Sequence, residues 1–423
     1  MRFIPTSWQP AWSTSDNWTS LHELLFVGTV NEVSGRPRSL FSNRLVVEDQ
    51  SFVDPDKLNK VTITYSFSGR DLREAVLNRS DLRKVDFSGA LLNDASFVGA
   101  NLQDALFGCR FTGIQPVKGL KTVNPQTGLQ LTDSEPQSVE HLWPDDGCAR
   151  LQGAVLDGAQ LQGAVFNNVQ LQGASFAEAK LQGAQFKQAE LQAATLRNSR
   201  LRAADLSSAQ LQGACLSGAQ LQGASLDFAG LQGANLDGAL LQDAGLRSAR
   251  VWRALGTNPT LELADLNGSD LLTEPWNEPG GAHSYAAWLD QILKDLPPSM
   301  RDEVERQLSV LGPSPRSKPC TSPEKRYDYI STGMWQKASL AQSRKPDSQF
   351  AVRLGDLGCL SDSAPHVARG LLTNGRAQSA GSQVKMISDR FHGQSSCPGI
   401  KGFTDEDWVL IDELVSGSSL ARQ

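Results

Sequence analysis

Cysteine and histidine are the side chains of this chain best suited to nucleophilic or metal chemistry, and their spacing favours neither. Six cysteines are scattered through 423 residues without a Cys-x-x-Cys pair, the spacing typical of zinc or dithiol redox sites. No histidine lies at metal-ligand spacing from another histidine, a cysteine or a carboxylate. The five are His22, His141, His283, His366 and His392. The sequence therefore predicts isolated histidines, no metal and no cofactor.

The thiols raise two further questions. Scattered cysteines without a pairing motif are typical of a reduced, cytoplasmic chain. Cys359 and Cys397 share the C-terminal region and could approach each other, so a disulfide between them stays open as an alternative. Cys215 immediately precedes Leu216, at a position predicted to face water. No base is positioned beside it, so an unreactive thiol is the favoured interpretation.

Other catalytic signatures are missing from the sequence. There is no Gly-x-Ser-x-Gly elbow, P-loop or dinucleotide fingerprint, which predicts that the chain is not an enzyme. Four residues predicted to face outward are candidates for protein contact instead. Lys180, Arg200 and Arg202 form a small basic group suited to a phosphate or an acidic partner, although a merely solvated face is the favoured alternative. Phe228 is the clearest exposed aromatic residue of the wall, and it either packs under a loop or marks a contact site.

A five-residue repeat must position these side chains. From about residue 149 to 253 the chain repeats a small residue, any residue, Leu or Phe, and two variable residues, as in LQGAVLDGAQLQGAVF. A period of five fits neither a helix nor an ordinary strand, and fixed self-similarity is typical of repeat architectures. We expect four units to close one square coil, with Leu or Phe and Ala inside and coils stacked about 4.8 Å apart. Leu196→Asp should then bury a charge.

A ten-residue alternation is superimposed on this repeat. LQG units, such as the one ending at Gly153, alternate with more variable ones. The glycine suits a turn with positive φ or a close approach of the next coil. We expect the glutamines to face outward and to form an amide ladder, and we expect Gln212→Asp to be tolerated. The ladder glutamines are Gln152, Gln162, Gln172, Gln182 and Gln192.

The repeat resembles that of the pentapeptide-repeat family, whose pattern is A(D/N)LXX. The match includes Ala204–Leu206, Ala234–Leu236 and Ala264–Leu266, although Gln, Ser or Val often precedes the Leu here. The resemblance implies a mainly β fold, a right-handed quadrilateral β-helix. Some family members protect DNA gyrase by resembling duplex DNA, which requires an anionic wall. Here the charges of the repeat nearly cancel, and Lys180, Arg200, Arg202, Arg247 and Arg250 interrupt such a wall.

The repeat pattern and the composition divide the chain into seven parts. These are an N-terminal cap (1–64), a first repeat block (65–109), a loop excursion (110–148), the main solenoid (149–273), a helical cap (274–311), a flexible linker (312–349) and a small helical unit (350–423). The excursion is predicted because the beat loses its five-residue phase between Phe107 and Leu151. The flanks resemble parts of long bacterial pentapeptide-repeat proteins that carry membrane helices before the repeat.

These observations predict a non-enzymatic scaffold for protein–protein interaction. The net charge of −6 does not favour nucleic acid as a partner, and no small-molecule substrate is indicated. The expected partner is a protein, either free or membrane-associated, and the expected location is cytoplasmic, with peripheral membrane association as an open alternative. A DNA-mimic binder of gyrase or topoisomerase and an enzyme in the C-terminal 75 residues are the other hypotheses.

Overall fold

The computed structural model describes most of the repeat region and parts of its flanks. The described residues are 3–4, 19–20, 45–53, 58, 60–109, 147–256, 261, 264–266, 269, 285–294, 296, 298–311, 349–359, 366–374, 384–393, 397, 400 and 403–416. The predicted N-terminal cap, excursion and linker therefore lie largely or wholly outside the described residues.

The repeats form a four-sided solenoid of 20 residues per coil. Isolated parallel bridges join residues 20 apart, such as Val155 to Ser175. Each coil is hydrogen-bonded to both neighbours, since Ser175 N donates to Ala154 O at 2.9 Å and Phe176 N donates to Thr195 O at 2.7 Å. These single-residue bridges replace extended strands in the described repeats. Centres from Leu77 to Leu246 are fully buried, as are Ala154 and its equivalents, which confirms the predicted register.

Each unit ends in a tight turn. In the first turn of the main repeat block, Ala154 N donates to Leu151 O at 3.0 Å. Gly153 has φ of 72°, as the third residue of a type II turn requires. The turns stack into four columns, which we name by the residues with positive φ. Column one contains Gly153, Gly173, Ala193, Gly213, Gly233 and Arg253; column two contains Gly158, Glu178, Asn198, Gly218 and Gly238; column three contains Gly163, Gly183, Ala203, Gly223 and Asp243; column four contains Asn168, Gln188, Ser208, Phe228 and Ser248.

The two repeat blocks form one continuous solenoid. Leu91 bridges Arg150 and Leu106 bridges Val165. Bridged residues on the two sides of the junction are therefore separated by the usual 20 residues plus the 39 that separate Cys109 from Cys148. The stack of phenylalanines continues across this junction, with the rings of Phe107 and Phe166 4.5 Å apart and almost parallel at 9°. One coil therefore ends near Cys109 and the next begins near Arg150, without a break in the stack.

Two short strands and six α-helices lie outside the repeat in the described ranges. Strands β1 (Phe3–Ile4) and β2 (Thr19–Ser20) pair antiparallel. The helices are α1 (Tyr285–Lys294), α2 (Pro298–Leu308), α3 (Phe350–Gly358), α4 (His366–Thr373), α5 (Val384–His392) and α6 (Asp405–Ser416), and a 3₁₀ turn, Ser309–Leu311, follows α2. Residues 45–53 also pair with the solenoid, through bridges from Val46 to Val76 and Ser51 to Asp81.

Helices α1 and α2 contact the side of the solenoid. Leu289 and Leu308 form a buried cluster with Ala193 of column one, and a Cβ added to Gly213 would lie 2.9 Å from Leu308 Cδ2. The sequence placed this pair over the end of the solenoid, whereas its contacts run along column one. The physical reason is that Gly and Ala in these turns let a helix approach the backbone closely.

The glutamines of columns one and three differ from the predicted ladder. Gln152 donates to Gln170 at 2.6 Å and Gln192 donates to Gln210 at 2.7 Å, so the amides contact the bridge residue of the next coil rather than one another. They are also mostly buried, including Gln212 at 8% exposure. The expectation that Gln212 faces water is therefore wrong, because helices cover its column.

The predicted reduced thiols are also wrong. Cys109 is bonded to Cys148 and Cys359 to Cys397, and Cys215 is disulfide-bonded as well. Within the described residues no cysteine is free. Cys215 is 2% exposed, so it is neither a surface thiol nor a nucleophile in this state. Periodicity could not show this, because a disulfide depends on which distant segments meet.

Candidate interaction surface

Helices α3–α6 form one packed unit that covers column three; we call it the helical unit. Its core contains Phe350, Leu371, Ile387, Phe391 and Ile411. The N-terminus of α6 is capped by Thr404, since Asp407 N donates to Thr404 Oγ1 at 3.4 Å and Thr404 N donates to Asp407 Oδ2 at 2.7 Å. These reciprocal hydrogen bonds form a capping box, and Val415 near the end of α6 is 41% exposed.

Polar anchors hold the helical unit on the turns of column three. Arg353 of α3 forms an ion pair with Asp243, with Nη2 2.8 Å from Oδ1. Asn374, just after α4, donates from Nδ2 to the carbonyl oxygens of Ala203 at 3.1 Å and Gly223 at 3.0 Å. Asn374 is buried, so these bonds satisfy carbonyls that the helices shield from water.

Helix α4 lies directly on the backbone of column three. A Cβ added to Gly183 would overlap the carbonyl oxygen of His366 and lie 2.9 Å from its carbonyl carbon. A Cβ added to Gly370 would overlap the carbonyl oxygen of Ala203. The small residues on both sides therefore permit contact between the two backbones. The glycines of the LQG units were visible in the sequence, but their periodicity indicated only that they form turns and did not show that a helix packs on them.

His366, which the sequence predicted to be an isolated histidine, lies at the contact between the helical unit and the solenoid. It is 8% exposed, and its Nδ1 lies 3.6 Å from Asp104 Oδ1, a residue of the first repeat block. Burial lowers the pKa of His366 below its ordinary value and Arg369 acts in the same direction, while Asp104 and Asp407 act against this shift. The histidine therefore tends to be neutral where it contacts the solenoid.

In the described part of the chain no helix packs on columns two and four, in contrast to columns one and three. Phe228 of column four is 65% exposed and has φ of 62°. Among the described non-glycine residues with positive φ, it is the one aromatic side chain. Its backbone N donates to Arg247 O at 2.8 Å, so a regular turn carries the ring. The ten-residue alternation thus separates covered columns from open ones.

An ion-pair network lies beside Phe228 in column four. Arg247 Nη2 is 2.6 Å from Asp227 Oδ2, and Arg247 Nε is 3.6 Å from Asp265 Oδ2. The hydrogen bonds that Arg247 donates to the Asp227 carboxylate raise the pKa of the Arg247 guanidinium. From the sequence, Arg247 was expected to interrupt an anionic wall with its positive charge, but the carboxylates of Asp227 and Asp265 neutralise it locally. Phe228 is therefore bordered by a fixed polar network rather than by a free charge.

The basic residues predicted as contacts lie elsewhere on the solenoid. Lys180 and Arg200 bridge each other in consecutive coils and are half-buried, as is Arg202. They occupy positions next to the turns of column three, whereas Phe228 lies in column four. The structure thus brings the three basic residues together and leaves Phe228 apart from them.

In the part of the chain that the structure describes, no three histidine, cysteine or acidic side chains converge as potential metal ligands. Each described helix is too short or too polar to cross a lipid bilayer.

A four-sided solenoid with helices on two of its turn columns defines a repeat protein with built-in appendages. The family model for pentapeptide repeats matches eight copies, over residues 71–113, 148–183, 170–207, 184–223, 204–243 and 219–251. Over these residues the chain is similar to the pentapeptide-repeat family. No curated protein matches the chain.

Solved structures similar to this chain are pentapeptide-repeat proteins. HetL, which is involved in the regulation of heterocyst differentiation in the cyanobacterium Nostoc, is 25% identical over 54% of this chain and 88% of its own, with a TM-score of 0.29. Full-length QnrB1, a plasmid-mediated fluoroquinolone resistance protein, is 17% identical over 49% of this chain and 92% of its own, with a TM-score of 0.22. A repeat protein from the cyanobacterium Cyanothece is 24% identical over 46% and 88%, with a TM-score of 0.12.

Proposed function

We propose that this chain is a non-enzymatic scaffold that binds another protein through column four, with Phe228 as the central contact. The coils, wound in the right-handed sense that the repeat resemblance implies, supply a rigid support. Columns one and three are occupied by the chain's own helices, which leaves columns two and four for a partner. The excursion at 110–148 and the helical unit are proposed to add specificity at the edges of this surface.

The exposure and backbone of Phe228 are the observation that carries this proposal. A bulky residue with positive φ is strained by about 1–2 kcal/mol relative to glycine, and at 65% exposure its ring gains little from packing within this chain. Stability therefore does not favour phenylalanine at this turn. Aromatic residues are enriched at the centres of protein interfaces, because a partner can bury their large apolar area.

The surroundings of Phe228 suit a partner with a small apolar pocket and a polar rim. Ser208 and Ser248 occupy the neighbouring turns of column four, so the ring stands above short side chains. The network of Asp227, Arg247 and Asp265 offers hydrogen-bonding groups beside it. Lys180, Arg200 and Arg202 are proposed as a separate, secondary contact for an acidic segment of the same partner.

Site-specific photo-crosslinking tests this proposal. A photoreactive amino acid is placed at position 228 and, as a matched control, at Ser208, the preceding position with positive φ in the same column. Both full-length proteins are exposed to native extract that includes membranes. We expect one crosslinked protein at 228 and loss of its binding on Phe228→Ser. Equal binding by wild type and Phe228→Ser would contradict the role of the ring.

Deletion variants separate the appendages from the solenoid wall. Loss of the crosslinked partner on removal of 110–148 or 350–423 would support their proposed role in specificity. Retention would place the whole binding site on the solenoid.

A DNA-mimic binder of gyrase or topoisomerase is the alternative proposal. That mechanism needs a continuous acidic surface, but open column two carries Asp157 and Glu178 beside Arg197, and column four carries the neutralised Arg247. The described charges therefore support it less than a protein contact centred on Phe228. A supercoiling assay with purified gyrase decides: inhibition or protection at micromolar protein would favour the DNA mimic.

A further inference from the structure

Disulfides join parts of this chain that are far apart in sequence. Cys109 and Cys148 are 39 residues apart, and Cys359 and Cys397 are 38 residues apart. Cys215, in the main solenoid, is also disulfide-bonded. Since no described cysteine is free, disulfide bonding is a general property of these cysteines rather than an isolated contact.

The first disulfide lies at the base of the excursion. Cys109 and Cys148 also form an antiparallel bridge, immediately beyond the bridge of Leu106 with Val165 and just before that of Arg150 with Leu91. The bond therefore joins the points at which the chain leaves and re-enters the solenoid. It closes the excursion into a loop, which restricts the separation of its ends.

The second disulfide lies inside the helical unit. Cys359 follows α3 and is 6% exposed, and Cys397 lies between α5 and α6 and is 3% exposed. Both belong to the apolar cluster that contains Phe391 and Val367. The bond connects α3, which carries the Arg353 anchor to the solenoid, to the segment that precedes α6. A small unit with a limited core gains most from such a cross-link.

We propose that this chain matures in an oxidising compartment, where a disulfide donor oxidises its cysteines and so closes the excursion at its base and cross-links the helical unit internally. In each step two thiols lose two protons and two electrons to form one S–S bond, while the donor disulfide is reduced to two thiols. A glutathione-buffered cytosol would keep these cysteines reduced. The solenoid core itself consists of Leu, Phe and Ala, so the cross-links act on the appendages.

Thiol counting on the native protein tests the compartment. Native cells are quenched in acid, and the full chain is alkylated with N-ethylmaleimide in denaturant, before or after reduction, and weighed by mass spectrometry. We expect no adduct before reduction and one on each of the six cysteines afterwards, with crosslinked peptides joining Cys109 to Cys148 and Cys359 to Cys397. An adduct on any of these four before reduction would overturn the proposal.

Limited proteolysis with and without dithiothreitol tests the cross-link within the helical unit. We expect reduction to speed cleavage within 349–416 by about tenfold or more while the repeat region stays resistant, because local opening governs cleavage. The double variant Cys359→Ser, Cys397→Ser serves as the control: its helical unit should be cleaved at the fast rate under both conditions. Equal cleavage of the oxidised and reduced wild type would show that the bond does not hold the unit.

Discussion

Substitution of Gly183 tests the close contact between the helical unit and the solenoid. In Gly183→Ala the new Cβ would overlap the carbonyl oxygen of His366 and lie 2.9 Å from the carbonyl carbon, whereas ordinary Cβ contacts are 3.4–4 Å. The opposing atoms are backbone, so rotation of a side chain cannot relieve the overlap. Gly158→Ala is a matched control, because Gly158 has φ of 64° against 67° for Gly183 and nothing within 4 Å of its added Cβ.

The losses of unfolding free energy expected for Gly183→Ala and Gly158→Ala differ only by the cost of the contact between position 183 and α4. Both substitutions place alanine at positive φ, which costs about 1 kcal/mol after the loss of unfolded-state freedom is included. Ala193 and Ala203 already occupy equivalent turns at φ of 57°, so this strain is tolerated. Gly183→Ala must also displace α4, and overpacking of this kind costs about 1–3 kcal/mol more. A displacement of α4 would also weaken the Asn374 hydrogen bonds to column three.

Urea unfolding and amide hydrogen exchange measure this difference. We expect Gly183→Ala to raise exchange in α3–α6 by about tenfold or more, one factor of ten for each 1.4 kcal/mol. The coil bond from Gly183 N to Arg202 O should stay protected. Gly158→Ala should leave exchange in the helical unit unchanged. Equal unfolding free energies and equal exchange for the two variants would refute the close contact of α4 with column three.

Three further predictions concern the core, a covered column and pH. Leu196→Asp places a charge at a fully buried centre and should cost several kcal/mol in urea unfolding; an unchanged melting temperature would contradict the register. Gln212→Asp should cost about 1–3 kcal/mol because Gln212 is buried, whereas Ser208→Asp on open column four should change the unfolding free energy by less than about 0.5 kcal/mol. The pKa of His366 is lowered in the folded state, so its contribution to stability is present above its unfolded value of about 6.5 and is lost as pH falls towards the folded pKa. Stability measured from pH 7.5 to 5 should fall less in His366→Gln than in wild type, and parallel profiles would exclude the histidine as the cause.

Several properties of the solenoid could be predicted from the sequence because they depend on local spacing. A Leu or Phe every five residues can be buried continuously only if the chain turns at each unit, so the coil, its register and its buried centres follow from the pattern. The loss of phase between Phe107 and Leu151 predicted the excursion for the same reason.

The candidate surface could be predicted only in part. Phe228 was identified as exposed because its position in the unit is known from the register. The contact of His366 with Asp104 was missed, since a separation of 262 residues in the sequence leaves no local pattern. The role of Gln212 was misjudged because a position that points away from the solenoid core can still be covered by another segment.

The sequence alone determined the repeating coil, its inward residues and the place where the chain leaves it, because each depends on contacts whose spacing the period sets. Only the tertiary structure decided which turn columns are covered, which cysteines meet and where the open aromatic residue lies relative to the charges. Those properties arise when α1–α6 fold back on the solenoid, and such contacts depend on surface shape and chain path rather than on any repeated interval. The glycines of columns one and three belong to both groups: the period identified them as turns, and the helices packed on them revealed their second role.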